Sequence, residues 1–310
     1  MILTVTPNTA VDRVLGVTRL IPDRTLRAQL LAVGPAGKGV CASMVAAELG
    51  YATTATGFAA GALGQWLVED LKRRGITPAF VEVEGETRTN IVIIGSDDGT
   101  HTTLTSNTLQ VHPAQAAQLV AQFGALVVQA RCVVLGGSLP PGAPEDLYPV
   151  LIQRARQAGV PVILDASGEA LRQGLSARPD WVKPNREELE QLVGRTVDSL
   201  EAALEAARAV QAQFGCSVLA SLGAEGALVV SGEAVWRAHA LAAPIVNPAG
   251  AGDALVAGLA IGLSERRPLP DGVRLGIAAA TATLSRPGTA ELSRRDVERW
   301  LSAVRLERWD

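Results

Sequence analysis

Short apolar runs that end at a glycine, proline, asparagine or aspartate, each followed by an amphipathic stretch, recur along most of the chain. Cys132 to Leu135 runs into Gly136, Val160 to Leu164 closes on Asp165, Trp181-Val182 on Lys183-Pro184-Asn185, and Ser217 to Ser221 on Leu222-Gly223. Uninterrupted apolar runs of this length are the pattern of strands buried on both faces, and their alternation with helical stretches predicts a parallel sheet covered by helices. Ile2 to Thr6, Thr53 to Phe58, Ala79 to Glu84 and Ala227 to Val230 add strands. Helical patterns run over Ala62 to Arg74, Pro113 to Phe123, Glu145 to Ala158 and Leu200 to Phe214, then over Ala254 to Leu263, Gly272 to Ser285 and Arg294 to Val304. No repeat, linker or low-complexity tract divides the 310 residues, so a single α/β domain over 1–310 is expected.

Polar residues keep falling just after the strand ends, at Asp12, Ser138, Asp165, Asn185 and Gly223. Ligands bind at that edge of an open parallel sheet, so the pattern predicts one crevice. Val14 to Val33 alternates apolar and polar residues around Pro22-Asp23, as a hairpin with one solvated face does; Thr89 to Ile94 and His101 to Thr105, joined by Ser96-Asp-Asp-Gly99, predict two more strands. These four are expected to pair as a small sheet outside the main body.

Val246-Asn-Pro-Ala-Gly250-Ala-Gly-Asp253 is a glycine-rich turn running into a small-residue helix. The free N–H groups and dipole of a helix start form an anion site, and glycines let a ligand come close to the backbone. Asp253 beside such a site can take a hydroxyl proton as that hydroxyl attacks a phosphoryl group. An ordinary loop with a dipole-favoured carboxylate in the first turn fits this stretch equally well. A second glycine-rich helix start, Gly34-Pro-Ala-Gly37-Lys38-Gly39, has the same character.

A formal charge of −3 supplies no global basic field, which argues against nucleic acid as a partner, and no apolar run reaches membrane-spanning length. Cys41, Cys132 and Cys216 are odd in number and widely spaced, with no C-x-x-C pair, which argues against a disulfide framework or structural zinc and fits a reducing cytoplasm. The N-terminal run reads as a buried strand rather than a signal peptide. His101, His112 and His239 share no metal-ligand spacing and read as surface residues.

The motifs, taken in order, resemble the ribokinase-like (PfkB) sugar kinases, and within them the 1-phosphofructokinase and tagatose-6-phosphate kinase group. The likeness is carried by Thr4-Val-Thr-Pro-Asn-Thr-Ala-Val-Asp12, Ala36-Gly-Lys-Gly39, Gly85-Glu-Thr-Arg88-Thr-Asn90, Gly137-Ser-Leu-Pro-Pro-Gly142, Asp165-Ala-Ser-Gly168, Lys183-Pro-Asn-Arg-Glu-Glu188, Ser221-Leu-Gly-Ala-Glu-Gly-Ala227 and Gly250-Ala-Gly-Asp253. It implies a ribokinase-like α/β/α sandwich, a mostly parallel central sheet with a small β-sheet lid built from about residues 12–34 and 86–106. It further implies ATP and Mg²⁺ as cofactors. Asp253 would be the catalytic base, with the amides of Gly250, Ala251 and Gly252 as anion hole. Asp12, Gly37, Lys38 and Gly39 would meet the sugar, and Arg88, with Ser138 and Arg27, the acceptor's own phosphate. Lys183, Asn185, Ser221, Gly223, Gly226 and Ala279 would bind nucleotide, and Asn185 with Glu188 would hold Mg²⁺ through water. Asn185 and Glu188 also have the spacing of a helix capping box, which alone would account for the pair.

Three positions depart from the family pattern: Cys41 where an asparagine is usual, Ser106-Asn107-Thr108 in place of a proline- and glycine-rich lid segment, and Pro248 where a hydroxyl residue is usual. The resemblance therefore implies phosphorylation of a small-molecule sugar phosphate, fructose 1-phosphate first and tagatose 6-phosphate second. Exposed lid strands leave edges that want partners, so a homodimer through the lid is expected. A non-catalytic sugar-phosphate sensor would keep the same crevice; Asp253 and the intact Gly-Ala-Gly favour an enzyme.

Overall fold

The computed structural model describes residues 1–309. In chain order the strands are β1 (Ile2–Thr6), β2 (Ala10–Val17), β3 (Gln29–Ala36), β4 (Thr53–Ala59), β5 (Thr77–Glu82), β6 (Glu84–Gly85), β7 (Arg88–Gly95), β8 (His101–Leu104), β9 (Leu109–Gln110), β10 (Cys132–Gly136), β11 (Val162–Asp165), β12 (Trp181–Val182), β13 (Ser217–Ser221), β14 (Ala227–Ser231), β15 (Ala234–Ala238) and β16 (Leu306–Arg308). The helices are α1 (Lys38–Glu48), α2 (Gly61–Arg73), α3 (Pro113–Val127), α4 (Leu147–Gln157), α5 (Gly168–Ser176), α6 (Arg186–Val193), α7 (Leu200–Phe214), α8 (Ala251–Ser264), α9 (Leu269–Leu284) and α10 (Arg294–Leu301).

Ten strands form one sheet in the order β16-β15-β14-β13-β12-β11-β10-β1-β4-β5, parallel from β13 to β5 and antiparallel through β14 to β16. Along β10, Val133 and Leu135 pack with Phe123 of α3 and Tyr148 of α4, whereas Cys132 and Val134 pack with Leu255 and Leu259 of α8. Successive side chains of a strand point to opposite faces, so a run covered by helices on both sides must be apolar throughout. That requirement is why this segment could be read from sequence.

The four-stranded sheet, ordered β3-β2-β7-β8, stands apart from the main one. Its central pair, β2 and β7, is parallel, and the register sets Asp12 opposite Asn90 and Ala10 opposite Arg88. Asp12 therefore does not lie in a loop beyond a strand of the main sheet. After Pro7-Asn8 the chain becomes extended again at Ala10 and carries Asp12 into the second sheet. Ser138, Asp165, Asn185 and Gly223 do follow, or end, β10, β11, β12 and β13.

Helix α5 and strands β15 and β16 have no counterpart in the sequence reading. α5 starts directly at Gly168, in what reads as a turn, and β16 is three residues long and exists only by pairing with β15. α8 and α9 pack backbone to backbone: a Cβ on Gly258 would meet Gly276 N at 2.1 Å. A side chain there would push the two helices apart and move the N-terminus of α8, where Asp253 sits.

Candidate active site

Gly250 is the N-cap of α8 with φ +88°, and a Cβ on it would meet Ala290 N at 2.3 Å, so glycine is required on both counts. The turn before it is pinned by the fully buried Asn247, whose Oδ1 accepts from Ala249 N at 3.0 Å and whose Nδ2 donates to Pro287 O at 2.8 Å. This asparagine ties the turn to the loop after α9, and Pro248 within the turn has no N–H of its own to place. Ala251 N donates to Pro248 O at 3.3 Å, while no acceptor among the described residues takes the N–H of Gly250 or Gly252. Two amides at a helix start are thus free for an anion.

Asp253 follows these amides and is half-buried. Burial and the negative charge of Asp165 push its carboxyl up to about 7, against Lys38, Lys183 and a hydrogen bond from the Cys41 thiol, which lower it. Cys41 is buried between the acidic groups Asp253 and Asp12, and its thiol is held well above its ordinary value by burial and by both carboxylates, so it is a neutral donor.

Asp165 gathers the cations. Its Oδ1 lies 2.6 Å from Lys38 Nζ and 3.3 Å from Lys183 Nζ, and its Oδ2 is buried without a partner. Lys38 also lies 3.5 Å from Glu188; burial pushes the ammonium down, but Asp165 and Glu188 outweigh that and hold it above its ordinary value. Asn185 and Glu188 do form a capping box on α6, with Asn185 Oδ1 accepting from Glu188 N at 2.8 Å and Glu188 Oε2 accepting from Asn185 N at 2.9 Å. Among the described residues no group of three or more His, Cys, Asp and Glu side chains is arranged to hold a metal ion.

A third cluster joins the second sheet to the main body. Asp12 accepts from Asn90 Nδ2 at 2.8 Å on Oδ1 and from Thr289 Oγ1 at 2.5 Å on Oδ2. Burial raises Asp12 above the usual carboxylate range, opposed by these two hydrogen bonds and by Arg88. Arg88 Nη2 reaches Asn8 O at 3.4 Å, and Asn8 Nδ2 donates to Ser138 Oγ at 3.1 Å and to Asn107 Oδ1 at 3.4 Å. Asn8 Oδ1, Asn90 Oδ1 and Arg88 Nε are buried without partners. A buried polar atom left unpaired costs about 1–3 kcal/mol, so several together mark a place where a ligand would repay the cost.

Beside the α8 turn lies a cleft of 870 Å³ lined by Asn185, Ser221, Gly223, Gly226, Pro248, Ala251 and Gly252, with Leu241, Ile245, Ile277, Ala280 and Thr281 as its apolar wall. Its volume and mostly apolar lining suit a nucleoside. Ala279 is not on that wall: it is fully buried in the core, because the helical turn of α9 presents Ile277, Ala280 and Thr281 to the cleft instead. Arg27 is also outside the cluster, exposed on the connection between β2 and β3.

Of the other expected site residues, Gly37, Lys38 and Gly39 sit at the start of α1, and Lys183 is buried directly after β12. Asp165, expected at the crevice edge but without a role, joins the site, and Asn8, Asn90, Asn107, Asn247 and Thr289 take part in it without an expected role. Asn90 had a readable signal, since it lies two positions from Arg88 and so on the same face of a strand. Thr289 had none.

The model of the pfkB family carbohydrate kinases matches residues 5–295. A 1-phosphofructokinase from Bacillus subtilis (strain 168) is 32% identical over 283 residues, covering 91% of this chain and 92% of that protein. Among solved structures, a possible 1-phosphofructokinase from Thermotoga maritima superposes with a TM-score of 0.90 at 28% identity, over 100% of this chain and 99% of the other. Phosphofructokinase-2 from Escherichia coli in complex with substrates and products gives 0.89 at 29% identity, over 97% and 98%. The chain belongs to the pfkB family of carbohydrate kinases, phosphotransferases that use an alcohol group as acceptor.

Proposed function

We propose that this kinase transfers the γ-phosphoryl group of ATP to a hydroxyl of fructose 1-phosphate, giving fructose 1,6-bisphosphate. The observation that carries the reading is Asp253, a carboxylate poised near neutrality directly beyond two free helix amides, at the mouth of a nucleoside-sized cleft. The similarity to a 1-phosphofructokinase directs the choice of acceptor.

Asp253 accepts the proton of the attacking hydroxyl, which a base with a pKa near the working pH does most effectively. The free amides of Gly250 and Gly252, joined by that of Ala251 if it leaves Pro248 O, face the transferring phosphoryl group, whose loose transition state is stabilised by oriented donors more than by covalent chemistry. Asp12 and the start of α1 hold the sugar hydroxyls. Arg88, with Ser138 and Asn8, receives the acceptor phosphate; the unpaired Arg88 Nε supports this, because a guanidinium grips phosphate through two N–H groups. Ser221, Gly223 and Gly226 lie along the nucleotide, and Lys183 and Lys38 neutralise its phosphates.

The residues present fit Mg²⁺: Asp165 Oδ2 is buried and unpaired, and Lys38 contacts both Asp165 and Glu188, so the two carboxylates would hold the ion through water and it would supply charge neutralisation to the nucleotide phosphates. In this reading the chain is one domain and the four-stranded sheet is its lid, which closes over the sugar and excludes water. Leu30, Val33 and Leu104 are exposed on that sheet and support a lid-to-lid homodimer. No helix among the described residues is long and apolar enough to cross a membrane.

A coupled ADP-release assay with fructose 1-phosphate, fructose 6-phosphate, tagatose 6-phosphate, fructose and ribose tests the reading. Fastest turnover is expected with fructose 1-phosphate. Turnover confined to unphosphorylated sugars would remove the role given to Arg88, and no turnover with any of them would sink the kinase assignment in favour of a sensor.

A further inference from the structure

The six residues 286–291, between α9 and α10, touch two parts of the site that are far apart in sequence. On one side Pro287 O accepts from Asn247 Nδ2 at 2.8 Å, Ala290 N donates to Ala249 O at 3.3 Å, and Ala290 fills the space where a Cβ on Gly250 would lie. On the other side Thr289 Oγ1 donates to Asp12 Oδ2 at 2.5 Å, across a separation of 277 residues. The loop therefore binds the anion-hole turn through its backbone and the carboxylate of the second sheet through a single hydroxyl.

We propose that Thr289 is a positioning residue for phosphoryl transfer, fixing Asp12 to the loop that also braces the anion-hole turn so that the acceptor is held in register with the phosphoryl group. This rests on Asp12 binding the acceptor. Asp12 has two carboxylate oxygens and each is oriented by one donor, Asn90 on its own sheet and Thr289 on the main body. Asn90 fixes the carboxylate relative to the second sheet only. Thr289 is the hydrogen bond that fixes it relative to Gly250 to Gly252. Without it the sugar can still be gripped by the second sheet, but its hydroxyl is free to drift from the line of attack, and a small misplacement of reacting atoms is costly.

The second donor on Asp12 is the means of separating this role from simple structural support. In Thr289→Val, which keeps the shape and removes the hydroxyl, kcat/KM for fructose 1-phosphate, or for whichever sugar phosphate of the panel above turns over fastest, is expected to fall about 10- to 100-fold. The KM for ATP stays within about twofold because the cleft is untouched, and Thr289→Ser restores most of the loss. In an Asp12→Ala background the further effect of Thr289→Val shrinks to within about twofold, since the hydroxyl then has no side chain to orient. Thermal unfolding of each variant is followed in parallel, and Thr289→Ala replaces Thr289→Val if the latter does not fold. Thr289→Val with unchanged kcat/KM, or with full loss in the Asp12→Ala background, overturns the role of Thr289. Asp12→Ala with unchanged acceptor kinetics overturns the acceptor assignment itself, and the proposal with it.

Discussion

Lys38 Nζ lies 2.6 Å from Asp165 Oδ1, the same oxygen that Lys183 Nζ approaches to 3.3 Å. One carboxylate oxygen thus holds two ammonium groups at the base of the site, and both act on Asp253 to favour its charged form. Lys38→Met should leave nucleotide binding largely to Lys183 and the cleft, while turnover drops on the order of 10²-fold because a preorganised charge facing the phosphoryl group is lost. Lys38→Arg should rescue little of it, since a planar guanidinium does not match a point contact of this kind. Steady-state kinetics with ATP titrated against each variant checks this; a change in ATP KM alone would place Lys38 in binding only.

Asp253 must be deprotonated to act as base, so kcat/KM is expected to fall as pH drops through about 7. The acceptor's own phosphate titrates near 6, which makes the limb ambiguous in the unaltered enzyme. Two substitutions resolve it. Asp165→Asn removes the charge that raises Asp253 and should shift the limb to lower pH, while Cys41→Ala removes a hydrogen bond that lowers it and should shift the limb to higher pH. Opposite displacements in pH–rate profiles are the expected result. A limb that stays fixed in both variants belongs to the substrate.

The parts that could be read in the sequence are those fixed by local chemistry. Strand β10 is apolar throughout because both its faces are covered, and the Gly250 turn carries its own signature of glycines before a helix. The capping box of Asn185 and Glu188 is likewise local, and the structure contains it at the residues where it was expected. What could not be read is what depends on register and on distant loops. Asp12 looks like a turn residue until β2 is seen to pair with β7, which sets it opposite Asn90. Thr289 looks like an ordinary loop hydroxyl until the fold carries it to Asp12. Ala279 fails for a smaller reason, a rotation of one residue along α9, because a run of alanines gives no hint of which one faces the cleft.

Arg88 is half-buried, and burial lowers its pKa while Asp12 opposes the shift. A guanidinium in such a place remains charged and gains from an anionic partner. Arg88→Met should therefore raise the KM for fructose 1-phosphate by about 10- to 100-fold, the loss expected for a charge-assisted hydrogen bond, with little change in the KM for ATP. Activity on unphosphorylated fructose, if measurable, should be nearly unaffected, so discrimination between the two sugars collapses. Equal losses on both would mean that Arg88 supports Asp12 rather than the phosphate.

Asp253 also imposes a cost on the fold that a stability measurement can detect. Its carboxyl has a pKa of about 7 in the folded chain against the ordinary 3.8, so the native state holds a proton over that interval that the unfolded state has released. Stability consequently decreases as pH rises from about 4 to 7, and above 7 the fold carries the full penalty of the charged, desolvated group. Asp253→Asn removes the penalty while keeping the shape. The variant should be inactive yet more stable than the unaltered enzyme at pH 8: the shift taken at face value is about 4 kcal/mol, which solvent reaching the half-buried carboxylate cuts to the order of 1 kcal/mol and so roughly 2–4 °C in Tm, with the difference vanishing near pH 4 where both side chains are neutral. Thermal unfolding at pH 5, 6, 7 and 8 in the absence of nucleotide measures it. A stability gain independent of pH would trace the effect to packing instead, and a loss at pH 8 would mean that Lys38 and Lys183 draw more from the Asp253 charge than burial takes away.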